Sequence, residues 1–108
     1  MRTVPVAPAP NQSLSVVLND LEVGITLRTL DETIYADIVC EGIPICAGRI
    51  CQDRIELTAR AAQLGFPELI LWFADLRGVS DPRWEELGTR YLLLSSELLP
   101  DPDATPFA

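Results

Sequence analysis

Apolar and polar residues alternate with a period of two through the first half of the chain, the mark of strands with one buried face. In Ser13–Leu18, Leu14, Val16 and Leu18 share a face opposite Ser13 and Ser15. In Glu22–Leu30, Val23, Ile25 and Leu27 oppose Glu22, Gly24, Thr26 and Arg28. In Thr33–Cys40, Ile34, Ala36, Ile38 and Cys40 oppose Thr33, Tyr35 and Asp37. The gaps between these runs, Asn19-Asp20, Asp31-Glu32 and Glu41-Gly42, are short and carry turn residues, so the runs are expected to pair as hairpins. Ile43–Arg49 reads as a fourth strand. Pro44 lies near its start, where a missing N–H costs least, and Gly48 marks a bulge or a close backbone approach.

The second half is less regular. Ile50–Leu64 fits a two-residue period (Ile55, Leu57, Ala59, Ala61) and also a helical face (Leu57, Ala61, Leu64). It is read as a strand through about Thr58, then a loop or one helical turn ending at Gly65. Leu69–Ala74, LILWFA, is nearly all apolar and predicts a strand buried on both faces, with Trp72 in the core. Asp81-Pro82 predicts a short helical turn near residues 82–87. Asp81 would cap it, Pro82 would take its first position, Gly88 would end it, and Trp84 and Leu87 would share its inner side. Tyr91–Ser96 is the last strand. About seven short strands with frequent turn signals predict an all-β fold, a small antiparallel barrel or sandwich. Its expected parts are an extended Pro-rich arm over 1–12, a single β domain over 13–97 and a Pro-rich C-terminal tail over 98–108.

Composition narrows the chemistry more than the fold. At 108 residues the chain suits one compact domain. It carries 16 acidic and 8 basic residues, a formal charge of −8, and every basic residue is Arg. That balance argues against a nucleic-acid-binding module, which needs cations to displace phosphate counterions. There is no His, hence no imidazole base for a Cys or Ser nucleophile, and no Lys for a Ser–Lys arrangement or a phosphate loop. Cys40, Cys46 and Cys51 lack the spacing and the fourth donor of a zinc site and are expected to be reduced, packed thiols. Adjacent Glu85-Glu86 and Asp31-Glu32 read as solvated turns. No cofactor or metal is expected. The N-terminal MRTVPVAPAP lacks the apolar run of a secretory signal, and no segment approaches the ~20 apolar residues of a membrane helix, so folding in a cytosol is expected.

Several segments together resemble a known family. Pro10-Asn11-Gln12 precedes the first strand. Gly48-Arg49 and Asp53-Arg54 follow in GRICQDRIEL. The apolar strand Leu69–Phe73, the Asp81-Pro82 turn and Leu87-Gly88-x-Arg90-Tyr91 then lead into the last strand. This ordered series, over roughly residues 5 to 96, resembles the baseplate plug proteins of contractile-tailed phages. Two features depart from that pattern, the Ala- and Arg-containing stretch Thr58–Gln63 and the Pro-rich tail.

The resemblance implies a non-enzymatic virion component at the centre of a tail baseplate, near the junction of tube, hub and spike. It implies action through contacts with hub, spike, tube and wedge proteins in multiple copies, after assembly in the host bacterial cytoplasm. It implies no membrane and no specific nucleic-acid binding, although an acidic surface suits a passage that DNA traverses. On this reading the candidate interface residues are Val4, Pro5, Val6, Pro8 and Pro10 of the arm, with Trp84, Glu85, Arg90 and Phe107. The arm is open to two readings, a frayed terminus or an extension along a neighbour. Arg49, Asp53 and Arg54 are alternatively expected to pair with each other or with Asp81 inside the fold. The competing reading of the whole chain is a free-standing small β domain that binds a ligand or peptide in a concave pocket.

Overall fold

The computed structural model describes residues 2–67 and 69–95. Seven strands form two antiparallel sheets: β1 (Arg2–Val4), β2 (Asn11–Leu18), β3 (Leu21–Leu30), β4 (Thr33–Cys40), β5 (Ile43–Ile50), β6 (Leu71–Asp75) and β7 (Tyr91–Ser95). Strands β2 to β5 make a meander in sequence order, and β7 is the centre of a second sheet, between β1 and β6. The all-β expectation holds, in its open two-sheet form rather than as a closed barrel.

The meander follows directly from the alternation. Leu18 pairs with Leu21, Leu30 with Thr33 and Cys40 with Ile43, each across a two-residue turn. Both residues of every turn have positive φ: 51° and 62° at Asn19-Asp20, 51° and 66° at Asp31-Glu32, 51° and 79° at Glu41-Gly42. Such turns match the right-handed twist of the paired strands. The inward residues Val23, Ile25, Leu27, Ile34, Ala36, Ile38 and Cys40 are all buried. Strand β5 carries two register slips against β4, one at Gly48. There φ is +62° and the Gly48 N–H donates to Asp37 Oδ1 at 2.6 Å, so the glycine does mark a bulge.

One core joins the two sheets. Val4, Leu71, Phe73, Tyr91 and Leu93 of the small sheet pack with the inward face of the meander and with Leu57, Ala61, Leu69 and Leu87 from the loops. The far face of the small sheet holds a second apolar cluster of Ile70, Trp72, Ala74 and Leu94, with Leu92 against it. Strand β6 is therefore buried on both faces, as its unbroken apolar run requires.

Four expectations are corrected. Residues 51–58 are not a strand. Arg54 has φ +56°, which breaks extended backbone. The segment makes a single parallel bridge, Asp53 to Phe73, and Ile55 is exposed while Leu57 is buried. The turn near 82–87 is a single 3₁₀ turn at Trp84–Glu86 with no side-chain cap, because Asp81 Oδ1 instead accepts from the Asp53 N–H at 3.0 Å. Trp84 and Leu87 do share its inner side, half-buried and buried. The arm over 1–12 is not free at its start: Arg2–Val4 pair with β7 and Asn11-Gln12 open β2. Val4 is 1% exposed, so it is a core residue and not an interface residue. A three-residue strand is too short to show a period, and only β7 supplies its partner. The tail over 98–108 and Phe107 lie outside the described residues.

The 51–58 segment has a definite role in the fold: it covers the outer edge of β6. Arg54 N–H donates to Phe73 O at 2.7 Å and Leu57 N–H to Leu71 O at 2.8 Å. The Asp75 N–H donates to Asp53 Oδ1 at 2.8 Å. The buried Thr58 hydroxyl donates to Leu69 O at 2.7 Å and accepts from Leu71 N–H at 3.1 Å. Thr58→Val keeps the shape but orphans two buried backbone groups. A loss of about 2–4 kcal/mol is expected in urea denaturation, against about 1 kcal/mol for Thr58→Ser. Equal losses for the two variants would show that the hydroxyl contributes no more than the methyl group.

Candidate interface regions

The loop between β6 and β7 is held by one buried carboxylate. Asp75 ends β6 with its side chain fully buried, and Arg90 stands across from it at the start of β7. The fork is bidentate: Arg90 Nε donates to Oδ1 at 2.8 Å and Nη2 to Oδ2 at 2.9 Å. Two backbone N–H groups complete the set, Arg77 to Oδ1 and Ser80 to Oδ2, both at 2.9 Å. Four donors on one carboxylate fold residues 76–80 back over it. Gly78 lies beside the site, and a Cβ there would meet Asp75 Oδ2 at 3.4 Å. The Arg90 hydrogen bonds hold the Asp75 carboxyl well below the usual carboxylate range, the two backbone donors adding to the effect against the cost of burial. Nearby Asp53 is raised, by burial first and then by the charges of Asp75 and Asp81.

A cleft of about 580 Å³ opens between this loop and the β3–β4 turn. Asp31, Glu32 and Ile50 line one wall, and Val79, Asp81 and Arg83 the other. Arg83 Nη1 spans it to Glu32 Oε2 at 3.0 Å, and Arg90 also meets Glu86 at 3.5 Å. The cationic groups of the cleft are thus engaged with carboxylates of the same chain. Val79 stands on its rim at 79% exposed, with Ile50 nearby at 41%. Exposed apolar residues beside charged ones resemble the rim of a protein contact surface.

The remaining candidate residues are spread over the surface. Pro5, Pro8, Pro10 and Glu85 are exposed, while Val6 and Trp84 are partly buried against the core. The Gln12 amide braces the proline segment, accepting from Ala7 N–H at 2.9 Å and donating to Ala7 O at 2.7 Å. Gly88 presses on the same segment, since a Cβ there would lie 2.9 Å from Val6 O. Arg90 is an internal ion-pair partner. Of the alternative pairings, Asp53 does meet Asp81, through its backbone N–H, whereas Arg49 donates to Glu56 O at 3.0 Å. Cys40, Cys46 and Cys51 are free thiols, and burial raises all three, Cys51 to about 12. Sequence reading missed Ile50 and Val79, although Val79 between Gly78 and Ser80 in a turn-rich loop was a usable signal for exposure.

The fold defines a small open two-sheet β module whose exposed features are turns, loops and strand edges. The chain belongs to the family of the cyanophage baseplate Pam3 plug gp18, whose family model matches residues 1–97. It is a structural component of a phage tail baseplate. No curated protein matches the chain.

Proposed function

We propose that the protein is a plug subunit at the centre of a contractile-tail baseplate, near the junction of tail tube, hub and spike. It works without catalysis, in multiple copies, through contacts with hub, spike, tube and wedge subunits after assembly in the host cytoplasm. The family match over residues 1–97 carries this reading. The surface supports it: Pro5, Pro8 and Pro10 form an exposed segment of low conformational entropy, and Glu85 is exposed on the 3₁₀ turn between β6 and β7. All three meander turns carry acidic residues, which suits a passage that repels DNA. Residues 98–108, with Phe107, serve as a further contact tail.

The chain has no Lys, so carbodiimide coupling of its carboxylates is the suitable cross-linking chemistry. Mass spectrometry of purified tails should find the protein as a regular component, with Glu85 or Asp81 coupled to hub, spike or tube subunits. Absence from purified tails would refute the reading. Coupling to peripheral wedge subunits alone would overturn the central position.

A further inference from the structure

Side chains on one face of a sheet shield each other's flanks but leave their ends to solvent, unless a second layer lies on top. The inward face of the small sheet has such a layer, the meander. The far face has no second apolar layer among the described residues. Its packing there consists of Ile70, Trp72, Ala74 and Leu94 with Leu92, all from β6, β7 or the residue before β6. Yet Ile70, Trp72, Ala74 and Leu94 are at most 8% exposed.

Two details locate the covering layer. Thr3 of β1, Leu94 of β7 and Trp72 of β6 form one cross-strand row on this face. Thr3 is exposed whereas Leu94 and Trp72 are buried, so the cover lies over β7 and β6 and stops short of β1. The Trp72 indole Nε1–H is also buried and has no hydrogen-bond acceptor among the described residues. A buried donor without an acceptor costs about 1–3 kcal/mol, so the cover is expected to bring an oxygen as well as apolar groups.

We propose that the segment following β7, residues 96–108, folds back over this face, with Leu98 and Leu99 packed on Trp72 and Leu94 and a carbonyl of the segment accepting from the indole. The burial belongs to a single chain, which favours the chain's own segment over a second copy as the cover. Phe107, at the far end of the segment, is left to the subunit contacts proposed above. The inference concerns the isolated full chain and does not rest on the baseplate reading.

Position, length and composition all favour this segment. Ser95 pairs with Leu71, so the chain leaves β7 next to Leu71 and its neighbour Ile70, at the border of the patch. The thirteen residues that follow, SELLPDPDATPFA, reach up to about 43 Å when extended, against about 17 Å for the five residues of β6. Leu98 and Leu99 come early enough to lie on the patch once the chain turns. Pro100, Pro102 and Pro106 carry no N–H, so a segment laid on side chains rather than along a strand edge buries few unpaired donors.

Trp72 reports on its own cover. In the full chain carrying Trp84→Phe, Trp72 is the sole indole, and its fluorescence should be that of a shielded ring, weakly quenched by acrylamide. Adding Leu98→Asp and Leu99→Asp should raise the quenching constant several-fold and move the emission to longer wavelength. Leu30→Asp, on an exposed residue of the meander, should change neither. In the unsubstituted chain, nuclear Overhauser contacts should join the Trp72 ring to the methyl groups of Leu98 or Leu99. If the leucine variant loses the circular dichroism of the fold, those contacts decide. Unchanged quenching in a folded leucine variant overturns the proposal, as does a shielded indole without a contact to either leucine. Shielding that fades on dilution also overturns it, since a second copy would then be the cover.

Discussion

Asp75→Ala is expected to destabilise the protein by about 3–5 kcal/mol, the usual cost of removing one partner from a buried ion pair. For a chain near one hundred residues, that lowers Tm by at least about 12 °C. The reason is the number of groups that converge on one carboxylate. Arg90 and the Arg77 and Ser80 N–H groups all lose their acceptor at once. The backbone of the loop then has nothing to fold around, and the cleft wall built by Val79 and Asp81 should loosen with it.

The same residue sets an acid limb. Asp75 titrates below its ordinary value of 3.8 in the folded state, so the folded protein binds fewer protons there than the unfolded chain. Its contribution is fully present above about pH 5 and is lost as pH falls from about 4 through the depressed folded value. Asp53, raised in the folded state, has the opposite sign and weakens the protein slightly as it ionises. Urea denaturation of the wild type at pH 6 and pH 3 should therefore show a clear loss at the lower pH. Asp75→Asn, less stable at pH 6, should lose distinctly less between the two. An identical loss in both proteins would assign the acid limb to other carboxylates.

Val4→Asp should cost about 3 kcal/mol or more, because an unpaired carboxylate cannot remain in an apolar core. The cheapest relief is for β1 to peel away from β7. That surrenders about 1.5–3 kcal/mol of Val4 burial together with the strand pairing, and it opens the edge of the central strand of the small sheet. Limited proteolysis should then cut within residues 2–10, and β7 should become prone to intermolecular pairing. Pro8→Ala, on an exposed residue of the same segment, should change stability by less than about 0.5 kcal/mol. A Val4→Asp protein as stable and protease-resistant as the wild type would mean that the N-terminus is a free arm after all.

The meander was legible because each of its strands carries its own period and each turn its own residues. Val23, Ile25 and Leu27 alternate with polar neighbours whatever surrounds them, and Gly48 signalled its bulge alone. The loops were less legible. Asp81 before Pro82 has the local chemistry of a helix cap, yet a backbone N–H from residue 53 competes for the same oxygen and wins. Asp75 directly follows the apolar run Leu69–Ala74, where a charged residue locally signals no more than the end of a strand. Nothing nearby in sequence shows that an arginine fifteen positions later will fork onto it. Arg90 consequently reads as a surface contact, and Val4 as part of an extended arm.

By itself, then, the sequence determined the two-residue hairpins, the inward face of the large sheet and the double burial of β6, all of which depend on neighbours within a few residues. The sequence likewise offers no imidazole and no lysine amine as partner for a nucleophile. Tertiary structure alone decided that Arg2–Val4 become a strand, that residues 53–58 guard an edge, and that Asp75 and Arg90 lock a loop. Each of those outcomes depends on a partner far along the chain. A local pattern records which face a residue prefers, but not which distant group will arrive to satisfy it.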